Sequence, residues 1–375
     1  MEGQWLGKVE GELSGTLRVE LEDRGNDFQG HAYLHYDVQH GLPGFQFGLS
    51  VPKVPPFTAN AETIYLYANG GIMTREDKLR AEQGIAQRFN EPMPAALDVS
   101  FEPEGETLKV KWASPDTEEN GEIVLTGTDP KAPSQIVGRR DLTTWDQFRE
   151  WAINQRPRQY IFRGQALPLK LVSSFHRTWR KDLLSWIEND VSALFGAVME
   201  RINYPLRLGD LGHNSAIWSI LQHHGYPTPL LDWTLSPFVA AYFAFQDREF
   251  SEEAAPRIYI FDQAEWSKRY GLRAFVADPA PPQLVVMESY AIGNPRSGPQ
   301  QALSIVTNIA DVEAFIRERE EADGQTYLTV CDLPADEKPR IVRELELMGI
   351  TYGSLFPGLD GICRDMRDRN FARPV

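Results

Sequence analysis

The chain has 375 residues, enough for more than one domain, with ordinary proportions of hydrophobic (42%) and charged (24%) residues. Its 53 Asp and Glu against 38 Lys and Arg give a net charge of −15, which excludes a binder of phosphate backbones acting through its whole surface, so nucleic acid is not an expected partner. Two cysteines exclude a disulfide framework, no apolar run is long enough to span a membrane, and the first residues lack the basic-then-apolar pattern of a leader, so a cytoplasmic setting is expected.

Residues 1–130 read as β structure. Short runs rich in aromatic and β-branched residues fall at 4–8, 17–21, 30–36, 45–49, 63–67, 96–101, 107–112 and 122–126, separated by turn residues such as Gly15, Gly25-Asn26 and Gly105. That spacing predicts an antiparallel sandwich or small barrel, with Trp5 and Trp112 as candidate core aromatics. Residues 73–90 interrupt the pattern as a helix or a long loop. Nothing in this module pairs carboxylates or clusters histidines, so its expected role is structural, or recruitment of a protein partner.

A linker is expected over 131–140, and the second domain over 141–375. Thr144-Trp145-Asp146-Gln147 fits a capping box opening a helix with Phe148 and Trp151 at helical spacing. Tyr160-Ile161-Phe162 predicts a strand ending at Arg163-Gly164, and 182–201 a long helix with one apolar stripe. Gly225 closes a further apolar helix, and Pro227 and Pro229 hold the next residues extended. Ser236 is a candidate N-cap with Pro237 at the first helical position, ahead of an apolar helix that should be buried. Strands are expected at 258–261, 284–287, 300–306 and 327–331, and helices at 264–270, 312–320 and 337–347. Short strands and helices without regular βαβ alternation make the fold class α+β.

Several of these segments carry a resemblance. Phe162-Arg163-Gly164, then Gln222-His223-His224-Gly225 with Pro227-Thr228 and Leu231-Asp232-Trp233-Thr234, then Asn294-Pro295-Arg296 with Gln300-Gln301, and last Leu355-Phe356-Pro357 with Leu359-Asp360-Gly361 resemble the motifs of the FRG domain family, in order, over about 140–368. Ala302 stands where that family usually has Gly, a position of interest because only Gly adopts some backbone conformations without strain.

The residues suggest chemistry at a few points. An arginine at a strand end, Arg163, offers a planar fork of donors suited to phosphate or carboxylate; Gly164 beside it would let a ligand approach the backbone. Arg163 could equally form a buried structural bridge with Asp232. His223 and His224 are adjacent and diverge on a helix, so no metal site is expected; one should be a core histidine and the other should face the loop. Asp232 could orient that histidine, act as an acid or base, or cap the turn ahead of Ser236. The basic run His176, Arg177, Arg180 and Lys181 reads as a solvated face or as a weak anion patch.

A second, more distant likeness implies a cofactor. The order Arg163, then Ser236 or Tyr242, then Gln301 is similar to the ADP-ribosyltransferase superfamily, which implies NAD; Gln301 stands where that superfamily has Glu. The reading is thus an N-terminal β module joined to an FRG-like domain whose cleft holds a nucleotide-like anion. Arg163 would take phosphate, His224 and Asp232 form a polar pair, Trp233 stack, and Gln301 contact the ligand. Gly164, His223, Thr228, Thr234, Ser236, Tyr242 and Arg296 would line it. An NAD-using effector, as a toxin or phage-defence component, is what the resemblance implies. The alternative is a non-catalytic interaction protein.

Overall fold

The computed structural model describes residues 1–11, 13–40, 44–61, 64–67, 96–115, 120–246, 255–271, 280–288 and 292–371; the segment 73–90, expected as a helix or loop, lies outside them. The protein is α+β, with two separate antiparallel sheets. The first holds β1 (Gly3–Val9), β2 (Gly15–Asp23), β3 (Asp27–Tyr36), β4 (Gly44–Pro52), β5 (Thr58–Ala61), β6 (Ile64–Tyr67), β7 (Leu97–Glu104), β8 (Thr107–Ala113) and β9 (Asn120–Thr126). Their order is β5-β7-β8-β9-β1-β2-β3-β4-β6, and β5 comes back against β4, so the sheet curls into a nearly closed barrel. Alternate residues point inward: Val19, Leu21, Val51, Phe101, Leu108, Val110 and Leu125 form its core, with Trp5 buried and Trp112 packed at its margin.

β2 breaks the alternation, because both of its faces are buried. Its outer residues Arg18, Glu20 and Glu22 are 3%, 0% and 1% exposed and face the chain that follows the barrel. Glu22 accepts the main-chain N–H groups of Lys181 (2.7 Å) and Asp182 (2.8 Å) and the Arg180 guanidinium (3.0 Å). His31 meets Asp182 at 2.7 Å. The Gln4 amide donates to Asn308 O (2.7 Å) and accepts from Ala310 N (2.6 Å). A solvent-facing strand would not place charges under cover; Arg18, which donates to Ala280 O (3.3 Å), and Glu22 are hydrogen-bonded across the junction, whereas Glu20 is held within the barrel by Gln4 Nε2 (2.9 Å) and Arg18. The connection is also stitched down: Pro133 bridges Leu169, and Arg139 N donates to Val330 O at 2.9 Å.

The second sheet contains β10 (Tyr160–Gln165), β11 (Leu230–Thr234), β12 (Arg257–Asp262), β13 (Leu284–Met287), β14 (Ala302–Thr307) and β15 (Leu328–Asp332), in the order β13-β14-β11-β10-β12-β15. It consists of two ribbons. β10 pairs with β12 along its whole length, and β11 does so with β14, but β10 and β11 share a single registered pair, Phe162↔Thr234. Beyond that pair the ribbons part. Ten helices are described: α1 (Trp145–Ile153), α2 (Leu183–Ser185), α3 (Ser192–Met199), α4 (Leu211–His223), α5 (Pro237–Gln246), α6 (Gln263–Tyr270), α7 (Val312–Asp323), α8 (Lys338–Leu347), α9 (Tyr352–Leu355) and α10 (Leu359–Asn370). A π-helical turn, Trp186–Val191, joins α2 to α3, so the long helix expected over 182–201 is present with its hydrogen bonding changed midway.

One face of the sheet is covered by α6 and α7 through Trp266, Val312, Phe315 and Ile316. The other has two helix groups. α1, α5 and α8 pack on the β10-β12-β15 ribbon through Trp145, Phe148, Ala240, Ala244, Ile341 and Leu345, and α2–α4 pack on the other ribbon through Trp186, Ile217, Trp218 and Leu221 against Leu230 and Val306. α5 is apolar all round because strand lies beneath it and helix beside it. Local signals act where the sequence suggests: Ser236 Oγ accepts from Val239 N (3.2 Å) at the start of α5, and Gly225 takes φ +85° just past the end of α4.

Candidate functional site

A cavity of about 910 Å³ opens where the two ribbons part, between α4 and α5. Arg163 lies inside β10, opposite Tyr259, rather than at the strand's end as expected. Its Nη1 donates to the main-chain oxygen of Asp232 at 2.6 Å and its Nε to Gln165 Oε1 at 3.2 Å. The first bond takes the place of a rung missing between β10 and β11. Among the described residues the guanidinium forms no ion pair with the Asp232 carboxylate, which leaves Nη2 free of protein partners.

Gly164 has a reason in packing. A Cβ there would lie 1.8 Å from Ala240 O and 2.7 Å from Ala244 N, so β10 passes directly under α5 and only Gly fits. The expectation that this glycine admits a ligand gives way to a helix already occupying that space. Phe162, on the same face, is buried against α5.

Asp232 sits on β11 opposite Ser304 and is held by a relay. Leu230 N donates to Thr228 Oγ1 (3.3 Å), so the hydroxyl proton goes to Gln222 Oε1, which turns Gln222 Nε2 toward Asp232 Oδ1. Ser174 Oγ clamps Thr228 from both sides, accepting from its N (2.9 Å) and donating to its O (3.1 Å). Asp232 Oδ2 has no hydrogen-bond partner among the described residues. Asp232 is solvent-exposed at the cavity wall, and desolvation by its surroundings pushes its pKa up against the pull of Arg163 and Gln222. Enclosure and the neighbouring Arg177 both work against charge on Arg163.

The other side of the cavity is built by the 292–301 loop and the C-terminal helices. Arg296 lies with its guanidinium 4.9 Å over the Phe356 ring, and Gln300 Nε2 donates to Leu355 O (3.0 Å), tying the loop to α9. His223, in the last turn of α4, faces the cavity; burial and then Arg296 lower its pKa, so its ring is neutral near pH 7. Arg177 and Arg364 complete the wall with Phe243 and Phe356. Four arginines therefore line one cavity in an acidic protein, and Asp232 is the one carboxylate among the described residues lining it.

Of the residues singled out in the sequence, Arg163, Gly164, His223, Asp232, Trp233, Thr234 and Arg296 border the cavity. The Trp233 ring itself is buried in the sheet core against Phe261, with centroids 6.0 Å apart. Thr234 Oγ1 donates to Gln300 O (2.7 Å) and so anchors the loop. Thr228 lies beneath the wall in the relay, Ser236 caps α5, and His224 is the C-cap of α4 with its ring edge-on to His223. Tyr242 lies outside the cavity lining, where burial raises its hydroxyl pKa against the opposing effect of Arg364. Gln301 is exposed and off the wall, so the lining holds no residue where the superfamily's Glu would be. The positive φ at the paired glutamines is +46° at Gln301 itself, and Ala302 begins β14 in ordinary strand geometry. The solvated-face reading of the basic run gives way, since His176 and Lys181 are buried and Arg177 lines the cavity, nearer the anion-patch alternative; Arg364 sits in a charged amphipathic helix with no local signal of its destination.

Among the described residues no three His, Cys, Asp or Glu side chains gather as a metal-ligand set, and no helix is long and apolar enough to cross a membrane. The fold and cavity define a two-sheet α+β protein with an arginine-lined cleft at a split in its second sheet. Residues 158–253, which supply β10, α4, β11 and α5, match the model of the FRG domain, so the chain carries an FRG domain. No curated protein and no solved structure matches the chain.

Proposed function

We propose that the cavity binds a nucleotide-like anionic ligand, with phosphate on Arg163 and Arg177. The observation that carries this is the charge inventory of the wall: four guanidinium groups and one carboxylate, with none of those arginines in an ion pair among the described residues. Arginines gathered without counter-ions repel one another, and an anion held by their forked donors removes that cost. Asp232 Oδ2 then accepts from a ligand hydroxyl or amine, and neutral His223 offers a further acceptor. Phe243 and Phe356 supply apolar wall for a flat base.

NAD is the ligand of first interest, and the chemistry that fits is hydrolysis or transfer at its N-glycosidic bond. The bond between ribose C1′ and the nicotinamide nitrogen breaks, with its electron pair leaving on nicotinamide. The Asp232 carboxylate faces the cationic sugar, and water adds to C1′ and loses its proton to Asp232 or solvent. Such an activity would suit an effector that depletes or modifies, in a toxin or phage-defence setting. Isothermal titration with NAD, ADP-ribose and ATP at low and high salt tests the binding. Affinity should fall as salt rises, and Arg163→Met should remove it. Nicotinamide release, followed chromatographically, tests the reaction separately. If none of these nucleotides binds at millimolar concentration, the proposal fails.

A further inference from the structure

Two of the cavity's guanidinium groups are held by rings instead of carboxylates. Tyr352 and Phe356, one helical turn apart at α9, stack with centroids 4.3 Å apart and planes 15° from parallel. Arg364 lies 4.3 Å over the Tyr352 ring and Arg296 4.9 Å over the Phe356 ring. Each ring has one face taken by the other ring, so each guanidinium occupies an outer face. The order is Arg364, Tyr352, Phe356, Arg296. Backbone geometry enforces it: a Cβ at Gly361 would lie 1.7 Å from Phe356 O, so α10 starts hard against α9 and carries Arg364 onto Tyr352.

A guanidinium lying on a ring face keeps its N–H donors in its own plane, pointing sideways; Arg364 gives Nη1 to Tyr352 Oη at 3.4 Å. Arg364 Nε is buried with no hydrogen-bond partner, a charged donor that protein structures seldom leave without an acceptor. Arg296 makes no side-chain hydrogen bond or ion pair among the described residues. The two cations are held apart by three layer spacings, of 4.3, 4.3 and 4.9 Å, and the rings between them prevent their closing on one phosphate. A contiguous diphosphate satisfies one end and leaves the other bare.

Resting on the reading that this cavity takes a nucleotide-like anion, we propose that its ligand carries two separate anionic groups, at least a sugar apart, one for each end of this stack. The chemical class is a nucleotide with a phosphate on either side of its ribose, or a dinucleotide with a further phosphate away from its diphosphate. Adenosine 3′,5′-bisphosphate and ADP make a matched pair, alike in composition and phosphate number and different in where the second phosphate sits. NADP and NAD make another pair, in which the added phosphate is remote.

Titration of the full chain with all four compounds decides the matter. Adenosine 3′,5′-bisphosphate should bind about tenfold or more tighter than ADP, and NADP than NAD, the size of one added charge-assisted contact. Arg296→Met and Arg364→Met should each erase those differences, bringing the bisphosphate level with ADP and NADP level with NAD; a variant that keeps them would overturn the inference. ADP binding as tightly as the bisphosphate in the unaltered protein would overturn the inference and leave the nucleotide reading standing. Failure of all four to bind would overturn both.

Discussion

Replacing Arg163 separates a ligand-gripping arginine from a structural one. Arg163→Met keeps the aliphatic stem and removes the guanidinium. The group is held by two hydrogen bonds, to Asp232 O at 2.6 Å and Gln165 Oε1 at 3.2 Å. Hydrogen bonds to a charged donor contribute about 1.5–3 kcal/mol each, less when long. Burial and Arg177 oppose the charge, and their relief offsets part of the loss. The net destabilisation should be about 1–2 kcal/mol, well under the ~3–5 kcal/mol of breaking a buried ion pair. Asp232→Asn leaves the acceptor of Arg163 in place, because that acceptor is a main-chain oxygen. The pair should therefore couple by less than about 1 kcal/mol in a double-mutant cycle. Urea unfolding of the parent, both single variants and the double variant at pH 7 gives that number, and nucleotide titration of the folded variants gives the ligand side. A coupling energy of about 3 kcal/mol or more would show that Arg163 is a bridge to the Asp232 carboxylate and refute the argument.

Other outcomes follow from the packing and the buried charges. Gly164→Ala should cost about 3 kcal/mol, the upper part of the usual overpacking range, since Ala240 O lies 1.8 Å from the new Cβ; an unchanged melting temperature would mean α5 does not rest on β10. Glu20, buried at the junction, has its pKa pushed up from 4.5 to about 7 by burial, which outweighs Arg18. Between those values the folded protein keeps a proton that the unfolded chain has lost, so stability falls as pH rises through that window and levels off above it. Glu20→Gln should match the parent below the window and exceed it by roughly 3 kcal/mol at pH 8; equal stability at pH 8 would show the carboxyl is not raised. His176 works in the opposite direction, its pKa lowered from 6.5 to about 3 by burial and then by Lys181. The unfolded chain takes up that proton first, so acid weakens the fold progressively below pH 6.5, and His176→Gln should flatten the slope in a pH series of thermal melts.

Much of the fold was legible because its signals are local. The Thr144 capping box, the Ser236 cap and Gly225 each depend on residues within one turn, and each sits where it was expected. The barrel strands are legible as aromatic and β-branched runs between turns, β2 among them at 17–21, but Arg18, Glu20 and Glu22 look like a wet face until the chain that follows covers them. The cavity was legible in part. Arg163, Asp232 and Arg296 stand in motifs, whereas Arg177 and Arg364 sit among other charges and gain meaning only when α10 folds back across 187 positions of chain. Gly164 carried a true signal of close approach, but a sequence cannot say whether a ligand or a helix comes close. The parting of β10 from β11 has no sequence signature at all, because strand pairing is a choice between partners far apart in the chain.

That parting makes the second sheet two mechanical bodies with one joint. Along most of their length β10 and β11 are tied by a side chain, the Arg163 guanidinium on Asp232 O, where a continuous sheet would have a ladder. A molecule seated between them supplies the absent rungs and acts as a splint. Amide hydrogens on the facing edges of β10 and β11 should then exchange with deuterium more slowly when the cavity is filled, while those in the β12–β15 ladder keep their rate. The exchange map would register an occupant without its identity being known, and would do so whether or not it is turned over.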